Sequence, residues 1–80
     1  MLDDIEHAPM KSAKQLLQEW AQGEKLPLPL YRMLEVSGPE HQRGFEVEAE
    51  AGGNVARGTG ASKREAQEAA AAKLLELVTK

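Results

Sequence analysis

Phe45-Glu46-Val47-Glu48-Ala49-Glu50-Ala51 alternates without a break: Phe45, Val47, Ala49 and Ala51 fall on one side, Glu46, Glu48 and Glu50 on the other. A period of two is that of a half-buried antiparallel strand, apolar towards a core and charged towards water. Gly52-Gly53-Asn54 follows as a tight hairpin turn, so residues 55–59 return as the neighbouring strand. Downstream of Gly60 and Ala61 the period changes from 2 to 3.6. Ser62 with Glu65 three residues later makes a capping box, which starts a helix there. Ala66, Ala69, Ala70, Leu74 and Leu77 form the stripe that this helix is expected to bury, and its small alanines would let it lie close to a sheet.

Upstream of the alternating run, Ser37-Gly38-Pro39-Glu40-His41-Gln42-Arg43-Gly44 is rich in turn residues and reads as a loop. Residues 31–36 hold β-formers and no breaker, which predicts a first strand. Leu26-Pro27-Leu28-Pro29-Leu30 cannot be helix, because two prolines remove donors and favour extended φ and ψ; it is expected to run over the core as extended chain. Before it, Ala13, Leu16, Leu17 and Trp20 recur at i, i+3, i+4, i+7, the period of an amphipathic helix. Ser12 with Gln15 is a second capping box, and Gly23 is the expected stop. Residues 1–10, with Asp3, Asp4, Glu6 and Pro9 and no apolar period, read as a linker or tail ahead of one domain at 11–80. Helices at both ends of a three-stranded meander predict an α+β sandwich, with both helices on one face of the antiparallel sheet.

Eighty residues with 41% hydrophobic content can build one core and not two. A chain this short buries only about 60% of its unfolded surface, so its stability is modest. There is no cysteine, which removes disulfides, thiol nucleophiles and thiolate zinc sites. His7 and His41 are far apart in sequence, which argues against a histidine metal site. No apolar run reaches the roughly 20 residues that span a bilayer, and no signal peptide opens the chain; a cytoplasmic domain with no membrane partner is expected. The net charge of −3 by itself argues against nucleic acid, so what matters is where the charges sit.

Three groups of residues carry a functional reading. Gln15, Gln18, Glu19 and Gln22 recur at helical spacing, two residues and so roughly 200° away from the apolar stripe. Three amides and a carboxylate without a cation make either an ordinary solvated face or a surface for hydroxyls, since amides donate and accept and a carboxylate accepts strongly. The wide minor groove of A-form RNA presents 2′-hydroxyls that do both. Lys63 and Arg64 stand just after the Ser62 cap, where the helix dipole disfavours cations by about 0.3–1 kcal/mol each. They are either tolerated surface charge, partly offset by Glu65, or part of an anion site where free N–H groups, dipole and cations converge on a phosphate; Gly58 and Gly60 would keep its approach open. His41, in the loop with Pro39, is a weak signal alone: exposed loop histidines are common, but this loop could project as a prong.

Together these pieces resemble one family. Gln18-Glu19-Trp20, Leu28-Pro29-Leu30-Tyr31-Arg32, Gly38-Pro39-Glu40-His41, Phe45-Glu46-Val47 and Gly58-Thr59-Gly60-Ala61-Ser62-Lys63-Arg64-Glu65-Ala66 are similar to the double-stranded RNA-binding domain (dsRBD), over roughly residues 12–78. Within it the chain looks most like the C-terminal domain of bacterial ribonuclease III. The resemblance implies an α-β-β-β-α fold that grips RNA with the first helix, the loop between strands one and two, and the start of the second helix. By position, Gln15, Gln18, Glu19 and Gln22 would face one minor groove. Pro39 and His41 would enter the next, and Ser62, Lys63 and Arg64 would hold phosphates across the intervening major groove. Many members carry a basic residue where this chain has Ala61, and often another where it has Gln67, which implies weaker phosphate affinity here.

The carboxylate cluster with which ribonuclease III holds its divalent metal has no counterpart in this chain; Asp3, Asp4 and Glu6 are an acidic run, not a metal cage. The resemblance therefore implies a non-catalytic, cofactor-free module whose partner is double-stranded RNA. Magnesium and cleavage of RNA such as ribosomal precursors would belong to an absent nuclease domain. The isolated domain would be a monomer, with homodimerisation residing in that absent part. A protein-interaction domain that kept the fold and lost RNA is the competing reading; Lys63 and Arg64, usually lost in such domains, argue against it.

Overall fold

The computed structural model describes residues 12–79. The elements run α1 (Ala13–Gly23), β1 (Leu30–Ser37), a single 3₁₀ turn (Glu40–Gln42), β2 (Gly44–Ala51), β3 (Asn54–Gly60) and α2 (Lys63–Val78). The tail expected at residues 1–10 lies outside the described residues. The sheet is antiparallel in the order β1-β2-β3, so the alternating strand is central, which is why its side chains decide both faces. Val47, Ala49 and Ala51 are buried and join Leu17, Ala66, Ala70, Ala71 and Leu74 in one core. That core places both helices on one face of the sheet: α2 packs on β2 and β3, and α1 packs beside α2.

Several local expectations are corrected. The strands are slightly longer than expected, and β1 carries a bulge between Met33 and Glu35 that leaves Leu34 without a cross-strand partner. Leu16 is 40% exposed; Ala21 takes its place in the core beside Leu17, with Ala13 and Trp20 at the edge. In α2, Leu77 is 52% exposed, while Ala71 is buried and Leu75 and Val78 pack at the margin. The i, i+4 row from Ala66 through Ala70 and Leu74 to Val78, not the row ending at Leu77, faces the sheet. Gly23 is the last residue of α1, as expected, but it is not the left-handed residue that closes the helix. The chain turns two residues later, at Lys25 with φ 59°. Leu26 N–H donates to the Ala21 carbonyl at 2.8 Å and Lys25 N–H to that of Gln22 at 3.0 Å, a Schellman closure that satisfies carbonyls of the last turn.

Gly58 and Gly60 also serve a different purpose from the one expected. A Cβ at Gly58 would stand 2.1 Å from the Ala70 backbone nitrogen, and one at Gly60 2.7 Å from that of Ala66. Both glycines let α2 press onto β3 rather than open a path to phosphate. The alanines of α2 and these two glycines are the two sides of one close contact.

Candidate nucleic-acid interface

Gln15, Gln18, Glu19 and Gln22 are all exposed, on the side of α1 away from buried Leu17 and Ala21. Ser12 caps the helix, its hydroxyl accepting from Gln15 N–H at 3.2 Å. The Gln15 side chain has no partner among the described hydrogen bonds, so the reciprocal half of the expected capping box is not made and its amide faces solvent.

Two contacts pin the first turn of α1 to the second turn of α2. The Ala13 N–H donates to the Glu68 carboxylate, which satisfies one of the free donors at the start of α1. The Lys14 ammonium donates to Gln67 Oε1 at 2.9 Å and stands 5.5 Å from the centre of the Tyr31 ring. The amide stripe is thereby tied to the start of α2 by side chains four and five residues past Lys63. Beneath them the Tyr31 hydroxyl is buried without a hydrogen-bond partner among the described residues. Burial, and then the nearby Glu68 charge, push its pKa above the ordinary value of 10.0, so the phenol stays neutral under Lys14 at physiological pH.

At the start of α2, Ser62 Oγ accepts from Glu65 N–H at 3.1 Å. The Glu65 carboxylate reaches back to Ala61 N–H at 3.0 Å, one residue earlier than a standard capping box. Lys63 and Arg64 are exposed and form no ion pair among the described residues. Glu65 accepts from the Ala61 N–H and pairs with neither of them.

The loop between β1 and β2 is more ordered than its composition suggests. Gly38 sits at φ +89°, and a Cβ there would lie 2.5 Å from the Gln42 carbonyl oxygen. Gln42 N–H closes the 3₁₀ turn on the Pro39 carbonyl at 2.9 Å. Pro39 and His41 are exposed on this turn, so His41 is presented by a folded knuckle and not a loose loop.

Glu46, Glu48 and Glu50 form an acidic row on the sheet face away from the helices. It is half-buried rather than fully exposed because β2 is flanked on both sides. Glu48 stands opposite Arg32 and Arg57 in register and within 3.8 and 3.7 Å of them, so part of the acidity that dominates the composition is neutralised locally. No group of three or more His, Cys, Asp or Glu side chains among the described residues is placed to hold a metal ion. No described helix is long and apolar enough to cross a membrane.

The family described as the double-stranded RNA binding motif matches residues 13–78. The chain belongs to that family. The motif covers both helices and all three strands, so every surface described above lies within it. Among curated relatives, Ribonuclease 3 of Anaplasma phagocytophilum is 43% identical over 77 residues, 96% of this chain and 33% of the relative. Ribonuclease 3 of Caulobacter vibrioides is 48% identical over 67 residues, 82% of this chain and 29% of the relative. The chain thus spans about a third of the length of these relatives. Among solved structures, the second dsRBD of DRB4 superposes with a TM-score of 0.67 at 34% identity, over 88% of this chain and 99% of that one. The dsRBD of tRNA-dihydrouridine(20) synthase superposes with a TM-score of 0.75 at 24% identity, over 98% of this chain and 82% of that one, a likeness of fold.

Lys14 carries no functional signal in the sequence. On a helical wheel it falls between the amide stripe and the apolar stripe, with no pattern of its own. Only the packing of α1 against α2 brings it to Gln67.

Proposed function

We propose that this dsRBD binds double-stranded RNA by shape. Gln15, Gln18, Glu19 and Gln22 take one minor groove, Pro39 and His41 the next, and Ser62, Lys63 and Arg64 the phosphates of the major groove between. The observation that carries this is a pairing of two surfaces. An exposed stripe of amides and a carboxylate is joined through Glu68 and Gln67 to two cations that form no ion pair among the described residues. Amides suit 2′-hydroxyls, which donate and accept. Lys63 and Arg64, at the positive end of a helix dipole, are stabilised when an anion arrives.

The relatives named Ribonuclease 3 support a place for this domain as the substrate-binding module of such an enzyme, acting on structured RNA such as ribosomal precursors. On that reading, cleavage, its magnesium ions and homodimerisation belong to the two-thirds of the relatives that this chain does not match, and the protein works in the cytoplasm as its membrane-free composition suggests. On the same reading this domain binds its RNA without a cofactor of its own.

The test is a titration of the purified chain with RNA and DNA duplexes of the same sequence. Tighter binding to RNA, little dependence on its sequence, and no cleavage in magnesium are expected. Equal affinity for both duplexes would overturn recognition through the 2′-hydroxyls and A-form shape; no affinity for either would leave the protein-interaction reading in its place.

A further inference from the structure

Gln67 lies four residues after Lys63 and three after Arg64, which puts all three on one face of α2. Gln67 itself is uncharged, but the ammonium that its Oε1 accepts from, 2.9 Å away, belongs to Lys14 of α1. A positive charge therefore stands on this face beside Lys63 and Arg64, delivered from the other helix. We propose that Lys14 is a third phosphate contact of the RNA-binding surface, held ready by Gln67 and the Tyr31 ring; this rests on the double-stranded RNA reading given above.

Three features support it. An ammonium carries three donors, of which Gln67 takes one. The Tyr31 face, 5.5 Å from the ammonium, attracts the cation without neutralising it, and the phenol is itself neutral. Glu68, the carboxylate next in sequence to Gln67, is engaged by the Ala13 N–H, and Lys14 is in no ion pair among the described residues. An ammonium outside any ion pair, with its position already fixed by Gln67 and the Tyr31 ring, loses little freedom when a phosphate arrives, unlike a lysine free in solvent. The contact would lie between the α1 stripe and the Lys63–Arg64 pair, where the backbone between two minor-groove contacts has to pass.

The test compares wild type, Lys14→Gln and the double variant Lys14→Gln with Gln67→Lys, each titrated with one RNA duplex across a range of salt. A lost phosphate contact flattens the plot of log affinity against log salt by about 0.9. Between 50 and 200 mM salt, Lys14→Gln should therefore lose about threefold less affinity than wild type does, while binding more weakly at low salt. The double variant, which returns a cation to the same spot from α2, should regain the wild-type slope. A Lys14→Gln protein that melts like wild type and keeps the wild-type slope overturns the proposal. So does a double variant whose slope stays low, and that arm decides the matter if Lys14→Gln alone is destabilised. A wild-type chain that fails to bind RNA duplex at all would instead sink the functional reading on which this rests.

Discussion

Lys63 and Arg64 occupy the least favourable place in a helix for cations, and they form no ion pair among the described residues. Replacing both with alanine should leave the melting temperature unchanged or slightly raised, since two repulsions with the helix dipole, about 0.3–1 kcal/mol each, are relieved. Binding to every RNA duplex should weaken alike, and the salt slope should fall by about two, one counterion for each lost phosphate contact. Glu19→Ala should behave differently. It removes a negative charge, so simple electrostatics predicts tighter binding to a polyanion. If the carboxylate accepts a 2′-hydroxyl, binding weakens while the salt slope barely moves. The second outcome is expected, and affinity measured against salt separates the two by sign. Tighter binding by a folded Glu19→Ala would return the α1 stripe to an ordinary solvated face.

Gly58 and Gly60 govern how close α2 comes to the sheet. A methyl group at Gly58 would stand 2.1 Å from the Ala70 nitrogen and 2.5 Å from the Ala69 carbonyl carbon, both of them helix backbone that cannot rotate away. Gly58→Ala should therefore destabilise the domain by about 1–3 kcal/mol or more, as overpacking does, read as a lower melting temperature. Gly53→Ala offers a comparison: it has a positive φ but nothing within 4 Å, so it meets only backbone strain. A Gly58→Ala protein as stable as wild type would mean that α2 sits further from β3. The elements themselves were legible in the sequence because their signals are local: the period of two at 45–51, Ser12 and Ser62 as caps, and the two prolines at 27 and 29. What escaped was set between elements. Whether Leu16 or Ala21 is buried depends on how α1 is rolled against α2, and the same holds for Leu77 against Val78. The glycines at 58 and 60 looked like an approach to phosphate because helix-on-strand packing leaves no mark in a one-dimensional pattern. Of the candidate site, residue types and spacing could be read directly; the Glu68 and Gln67 links between its halves are contacts across more than 50 residues of chain.

At the scale of the whole domain, the proposed contacts make one demand: the α1 stripe and the loop knuckle must reach two successive minor grooves of one duplex. A domain of this family spans about 16 base pairs when it does so. Wild type should then gain affinity as an RNA duplex is lengthened from about 8 to about 16 base pairs, beyond the statistical gain from added sites, because the second minor groove comes within reach. His41 is exposed on a turn outside the core, so His41→Ala should leave the fold and the short-duplex affinity intact while losing most of the gain on lengthening. Gly38→Ala should do the same more severely. Its φ of +89° and the 2.5 Å approach of the Gln42 carbonyl leave no room for a methyl group unless the knuckle opens, and the knuckle shares no residue with the core. Isothermal titration of the three proteins against both duplexes, with melting curves to confirm folding, gives the comparison. If His41→Ala weakens the short and the long duplex by the same factor, the loop does not read a second groove. Both surfaces would then contact the RNA within a single groove.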